Sequence, residues 1–144
     1  MITLKIELKV IAQKIDEGMA GWETYYNPKN GKMIDLPDDA DYMDEETEAL
    51  AREVEENGDF LRLPNQYEIH EYRIMQEFAI ELDNETLQGE LLKALTRKHS
   101  YRNFKDAIKY YGIADLYYKY RLKKCYELAK MWCRNNSLDY IEQE

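Results

Sequence analysis

Apolar residues at the start of the chain follow two periods at once. Ile2, Leu4, Ile6, Leu8 and Val10 alternate as in a strand, while Leu4, Leu8, Ile11, Ala12 and Ile15 recur at helical spacing. The longer pattern favours a helix over about residues 7–17, ended by Gly18, with residues 2–6 open to a short strand before it. Trp22 to Tyr26 and Lys32 to Leu36 then flank Asn27-Pro28-Lys29-Asn30-Gly31. Asn-Gly between aromatic and aliphatic runs signals a hairpin, because Gly accepts the positive φ of a tight turn. Asp44 opens a helix with an acidic first turn, and Asn57-Gly58 closes it. Phe60 to Leu63 reads as a third strand, stopped by Pro64.

From there the period is helical. Asn65 with Glu68 three residues on resembles a capping box, and the helix it starts sets Ile69, Tyr72, Met75, Phe78, Ala79 and Leu82 on one side. Asp83-Asn84 breaks the chain, and Leu87, Leu91, Leu92 and Leu95 mark the next helix. Ser100 caps another, in which Tyr101, Phe104, Ile108 and Tyr111 share a face and Gly112 ends the run. A last helix over about 114–135 places Tyr118, Leu122, Cys125, Ala129 and Trp132 in a 4-3-4-3 stripe. Tyr117, Tyr118 and Tyr120 point different ways on that helix, so one or two of them belong at a rim.

These elements predict an α+β, mainly helical fold. It has an N-terminal helix, a small antiparallel β-hairpin or three-stranded sheet, and a C-terminal cluster of about four helices. Residues 1–144 suit a single domain, with an acidic α/β-hairpin part over 1–64 and a helical part over 65–144. The chain is 44% hydrophobic and 34% charged, a globular balance. No apolar run approaches the ~18 residues of a membrane span, and lysines and glutamates interrupt the N-terminus where a signal peptide would be apolar. Cys125 and Cys133 lie ~12 Å apart along one helix, too far for a disulfide, and two free thiols fit a reducing compartment. A cytoplasmic protein is expected.

Site chemistry is sparse. His70-Glu71 begins like the zinc-protease helix, but Ile74 stands where the second His belongs. With His99 in another element, no metal is expected. Residues 38–48 hold seven acids and no base, yet counting an EF-hand from Asp39 puts Asp44 at the Gly place and Leu50 at the Glu place. A solvated loop leading into a helix is the plainer reading. Neither a Gly-rich phosphate loop nor a Gly-x-Ser-x-Gly elbow occurs, and Cys125 falls within an apolar stripe as a buried thiol. No catalytic residue and no cofactor are assigned, and the expectation leans away from an enzyme.

From Tyr67 onward the landmarks resemble the bacterial Uncharacterised Protein Family 0158. They are Met75 and Phe78, Leu91-Leu92-Lys93-Ala94-Leu95, Arg102-Asn103-Phe104-Lys105-Asp106, Tyr117-Tyr118-Lys119-Tyr120-Arg121, and Ala129 with Trp132. Upstream, Tyr25-Tyr26-Asn27 with Asn30-Gly31 is similar to that family's hairpin. In the family pattern position 117 is often Trp and position 120 Phe; Tyr at both implies wetter positions here. The resemblance implies this fold and a bacterial origin, and it brings no established activity.

Charge is segregated. Residues 1–92 hold 8 bases against 23 acids, whereas residues 93–134 hold 12 bases against 3 acids. Arg102, Lys105 and Lys109 fall within ~60° of one another on one helix, and Lys119, Lys123, Lys130 and Arg134 do so on the last. Lys98 extends the first ridge. Three readings apply to these eight binding candidates: a solvated face partly neutralised by the acidic half, a nucleic-acid surface aided by exposed tyrosines, or a contact for an acidic protein or a second copy. A pI near 4.8 weighs against nucleic acid. The expected function is a non-enzymatic binding or regulatory module acting through protein–protein contact or self-association, with RNA or DNA binding as the alternative.

Overall fold

The computed structural model describes residues 5–39 and 43–142. Ile2 and Leu4 of the first apolar run and Asp41 of the acidic run lie outside the described residues. The fold is α+β and mainly helical, with six helices among the described residues and a three-stranded antiparallel sheet. Two compact units divide the chain by contact instead of by sequence order. The first joins Met1–Ile69 to Cys125–Glu144, and the second is His70–Lys124.

In the first unit, β1 (Ile6–Glu7) runs straight into α1 (Leu8–Asp16). Leu8, Ile11, Ala12 and Ile15 are buried, so the helical period wins from Leu8 onward and the alternation survives only in β1. The hairpin forms as β2 (Trp22–Tyr26) and β3 (Met33–Pro37), with Tyr25 opposite Ile34 and Tyr26 opposite Met33. Gly31 takes φ +77°, and the Asn27 side chain accepts from Lys29 N–H at 2.9 Å, which fixes the turn. Ile34 and Leu36 point inward while Asp35 points out to Lys14 at 2.8 Å and Thr24 at 2.6 Å.

Asp44 caps α2 (Glu45–Glu56) by accepting from Thr47 N–H at 2.7 Å. β4 (Leu61–Arg62) then pairs with β2, giving the sheet order β3-β2-β4. Asn65 and Glu68 make the reciprocal box: Asn65 Oδ1 accepts from Glu68 N–H, and Glu68 Oε1 accepts from Asn65 N–H. That box closes a lone turn and does not start the next helix, because His70 adopts φ 56°.

The second unit therefore begins with α3 (Glu71–Glu81), followed by α4 (Glu85–Thr96) and α5 (Ser100–Tyr110). Asn84 caps α4 by accepting from Leu87 N–H at 3.0 Å. Ser100 is not the cap of α5; His99, at φ 63°, holds that place and Ser100 is the first helical residue. Gly112, at φ 70°, ends α5 with Gly112 N–H on Lys109 O and Ile113 N–H on Ile108 O, a complete Schellman pair.

The last helix, α6 (Ala114–Asn135), gives its first half to the second unit and its second half to the first. Cys125, Ala129, Trp132 and Cys133 are buried in the first unit, where Trp132 Nε1–H donates to Arg62 O at 2.9 Å and its ring meets Tyr26 edge-on. Ser137, at φ 56°, turns the chain after α6 so that β5 (Tyr140–Ile141) pairs in parallel with β1. No helix among the described residues is long and apolar enough to cross a membrane.

Candidate functional site

The second unit is built around rings. Phe104 and Tyr117 are fully buried, with centroids 5.0 Å apart, and Phe78 meets Phe104 at 6.4 Å and Tyr117 at 5.4 Å, all edge-to-face. Tyr120 tilts against Phe78 at 5.6 Å, and burial followed by the neighbouring Glu81 carboxylate raises its phenol above the usual range. The stripe on α6 thus differs from expectation by one residue at its start. Tyr117 lies inside and Tyr118 is exposed, so position 117 is dry, not wet.

The shift has an ionic cause. Position 121, one turn after Tyr117, holds Arg121, whose Nε lies 2.7 Å from Glu71 Oε2. Lys105 Nζ reaches Glu71 Oε1 at 3.2 Å. Side-chain exposure is 8% for Glu71, 11% for Arg121 and 41% for Lys105. One carboxylate at the first position of α3 therefore holds two cations from α5 and α6, with the positive end of the α3 dipole behind it. His70-Glu71, which begins like a zinc motif, instead supplies the anion of an internal triad. Among the described residues, no group of three or more His, Cys, Asp or Glu is placed to hold a metal ion.

The eight expected contact cations separate into two sets. Lys105 turns inward to Glu71, Lys130 pairs with Glu142, and Arg134 donates to Tyr140 Oη at 3.3 Å. These three act within their own units. Lys98, Arg102, Lys109, Lys119 and Lys123 are exposed, and among the described residues none of the five makes an ion pair. All five lie in the second unit, which also exposes Tyr101, Tyr110, Tyr111 and Tyr118. Tyr110 is 83% exposed and stands edge-on to Tyr111 at 5.0 Å. The second unit holds 11 bases against 8 acids, while the first holds 9 against 21.

Between α4 and α5 an open cleft of about 390 Å³ is lined by Glu90, Lys93, Ala94 and Arg97 from the α4 side and by Asn103, Asp106 and Ala107 from α5. Its charges are mixed in sign.

Neither thiol belongs to a reactive site. Cys125 is buried with Sγ 3.9 Å from Asp16 Oδ1, and burial pushes the Cys133 thiol up to about 11. A raised thiol pKa means the unfolded chain deprotonates first, so this contribution to stability is complete below the ordinary value and lost as pH climbs through about 11. At pH 8 both cysteines are expected to resist a water-soluble disulfide reagent for hours in the native protein and to react within minutes in denaturant. Rapid native labelling of Cys133 would contradict this burial.

A family model described as Uncharacterised protein family (UPF0158) matches residues 2–144, and the chain belongs to that family. No curated protein and no solved structure matches it.

Proposed function

From this membership, which brings no activity with it, we propose that the protein is a non-enzymatic binding module acting through protein–protein contact in the cytosol. The contact surface is the outer side of α5 with the first half of α6, and its partner is an acidic protein surface. One observation carries the reading: Lys98, Arg102, Lys109, Lys119 and Lys123 hold exposed charge with no ion pair among the described residues, in a unit that also exposes several tyrosines. Unmatched cations steer an anionic partner and fix its register, and Tyr supplies rigid contact area at small entropic cost.

The distribution of perturbed groups supports a binding module. Asp44 is lowered by its cap bonds to Thr47, Arg62 is raised by Glu68, and Cys133 is raised by burial. Tyr26 and Tyr120 are raised mainly by burial, Asp35 is held down against burial by Lys14 and Thr24, and Lys130 is raised by Glu142. The shifted groups serve a helix end, surface pairs and buried rings spread along the chain. The cytosolic setting rests on the two free buried thiols.

Nucleic-acid binding is the second reading, favoured by Tyr101 next to Arg102 and Tyr118 next to Lys119, since rings stack on bases while cations meet phosphates. Affinity purification of the wild type and of an Arg102→Glu, Lys119→Glu, Lys123→Glu variant, each followed by nuclease treatment, separates the two. Protein partners that survive nuclease with the wild type and are lost with the variant are expected. Partners indifferent to the charge reversal would contradict the reading. Absorbance dominated by nucleic acid and released by salt would replace it with the second.

A further inference from the structure

Helix α2 is the one helix with no buried residue among α1 to α5. Its apolar positions Thr47, Leu50, Ala51 and Val54 follow the spacing of a core face, yet each is only half-buried where α2 lies against β3. One ion pair, Lys32 to Glu53 at 2.8 Å, ties it to the hairpin. On the far side Glu45, Glu48, Glu55 and Glu56 fall within ~100° of one another, and all are exposed. Arg52 is the single base on the helix. The dipole adds its positive end at Glu45, which stabilises these acids on the helix but leaves their charge facing solvent.

The second unit carries the complement. Its Arg102, Lys109, Lys119 and Lys123 are exposed and make no ion pair among the described residues, and exposed Tyr101 and Tyr118 carry phenol hydroxyls able to donate to carboxylates. The first unit thus displays an acidic helix face and the second unit displays exposed cations on α5 and α6. We propose that the acidic face of α2 docks on the cationic, tyrosine-bearing face of α5 and α6 in a second copy of this chain. This deepens the binding reading above and rests on it, naming the acidic protein surface as α2 of another molecule. Such a contact is heterologous: each copy offers two different patches, and both are used when copies associate. Glutamates meet lysines and arginines along two helices, while tyrosine rings cover the methylene stems.

Sedimentation velocity over a wide concentration range tests this with two charge-reversed proteins. One reverses the face (Arg102→Glu, Lys119→Glu, Lys123→Glu) and the other reverses the helix (Glu45→Lys, Glu48→Lys, Glu55→Lys). The wild type is expected to associate with rising concentration and to dissociate as salt approaches about 1 M. Each reversed protein alone is expected to associate about 100-fold more weakly, because like charges then oppose each other. Their equimolar mixture is expected to recover association, since a basic α2 then meets an acidic face. Milder neutral variants, Lys119→Gln with Lys123→Gln and Glu45→Gln with Glu48→Gln, are expected to show a graded loss, which separates charge from folding defects. A wild type that stays monomeric throughout overturns self-docking; if the face-reversed variant still loses nuclease-resistant partners, the binding reading stands. Association that survives face reversal overturns both.

Discussion

Glu71→Leu is expected to lower the unfolding free energy by about 3–5 kcal/mol, the usual cost of stranding buried charge. Glu71 is 8% exposed and is the shared anion for Arg121 at 2.7 Å and Lys105 at 3.2 Å. Removing it takes the carboxylate 2.7 Å from Nε away from the Arg121 guanidinium, which is only 11% exposed. Lys105, at 41% exposed, can swing into water and contributes less. The order of severity is therefore Glu71→Leu, then Arg121→Ala, then Lys105→Ala. Replacing Glu71 and Arg121 together by Leu and Met is expected to restore most of the loss, because the penalty belongs to the stranded charge and not to the absent pair. Urea unfolding of the four variants measures this, provided the slope with denaturant is unchanged. Equal losses for Glu71→Leu and for the double replacement would show that the site is held by packing alone.

Phe104→Ala is the second large effect, about 3–5 kcal/mol. Phe104 is fully buried and touches both Phe78 and Tyr117 edge-on, so the change removes a ring and two aromatic contacts and leaves a cavity under α5. Phe104→Leu keeps most of the volume and is expected to cost about half as much. The exposed Tyr110→Ala serves as the control, with stability within about 0.5 kcal/mol of wild type, since that ring is 83% exposed. A loss at Phe104 no larger than at Tyr110 would mean that the ring cluster is not the core of the second unit.

Much of this architecture could be read from local signals. Asp44 at the opening of a helix, Asp83-Asn84 as a break, Gly112 as a helix stop and Gly31 as a turn residue each act on their own few neighbours, and each stands where the sequence pattern puts it. Failures arose where a distant partner decides. Asn65 and Glu68 form their box, but His70 at φ 56° separates that turn from α3, and left-handed His carries no sequence signal comparable to Gly. Strand β5 is two residues long and exists only because Ser137 turns Tyr140 back beside Ile6. Arg121 reads as surface by residue type, so the helical period alone puts the inward stripe on Tyr118 and Leu122, one residue late. Its counter-charge, Glu71, lies fifty residues away in sequence, and no helical pattern links them.

The same reason divides the eight contact cations. Helical geometry puts Lys105 and Lys130 on the same sides as their exposed neighbours, but Lys105 pairs with the buried Glu71 and Lys130 with the exposed Glu142. A long side chain reports its row on a helix, whereas its head group goes where the nearest carboxylate is.

Amine acylation footprinting bears most directly on the contact face. Lysine reactivities are measured by mass spectrometry in dilute purified protein and in intact cells making the same chain. Lys98, Lys109, Lys119 and Lys123 are expected to react readily in the dilute protein and to be protected several-fold in cells, with Lys105 slower than these four throughout. Equal reactivity of those four lysines in both settings, with protection gathered elsewhere on the chain, would contradict a contact surface on α5 and α6.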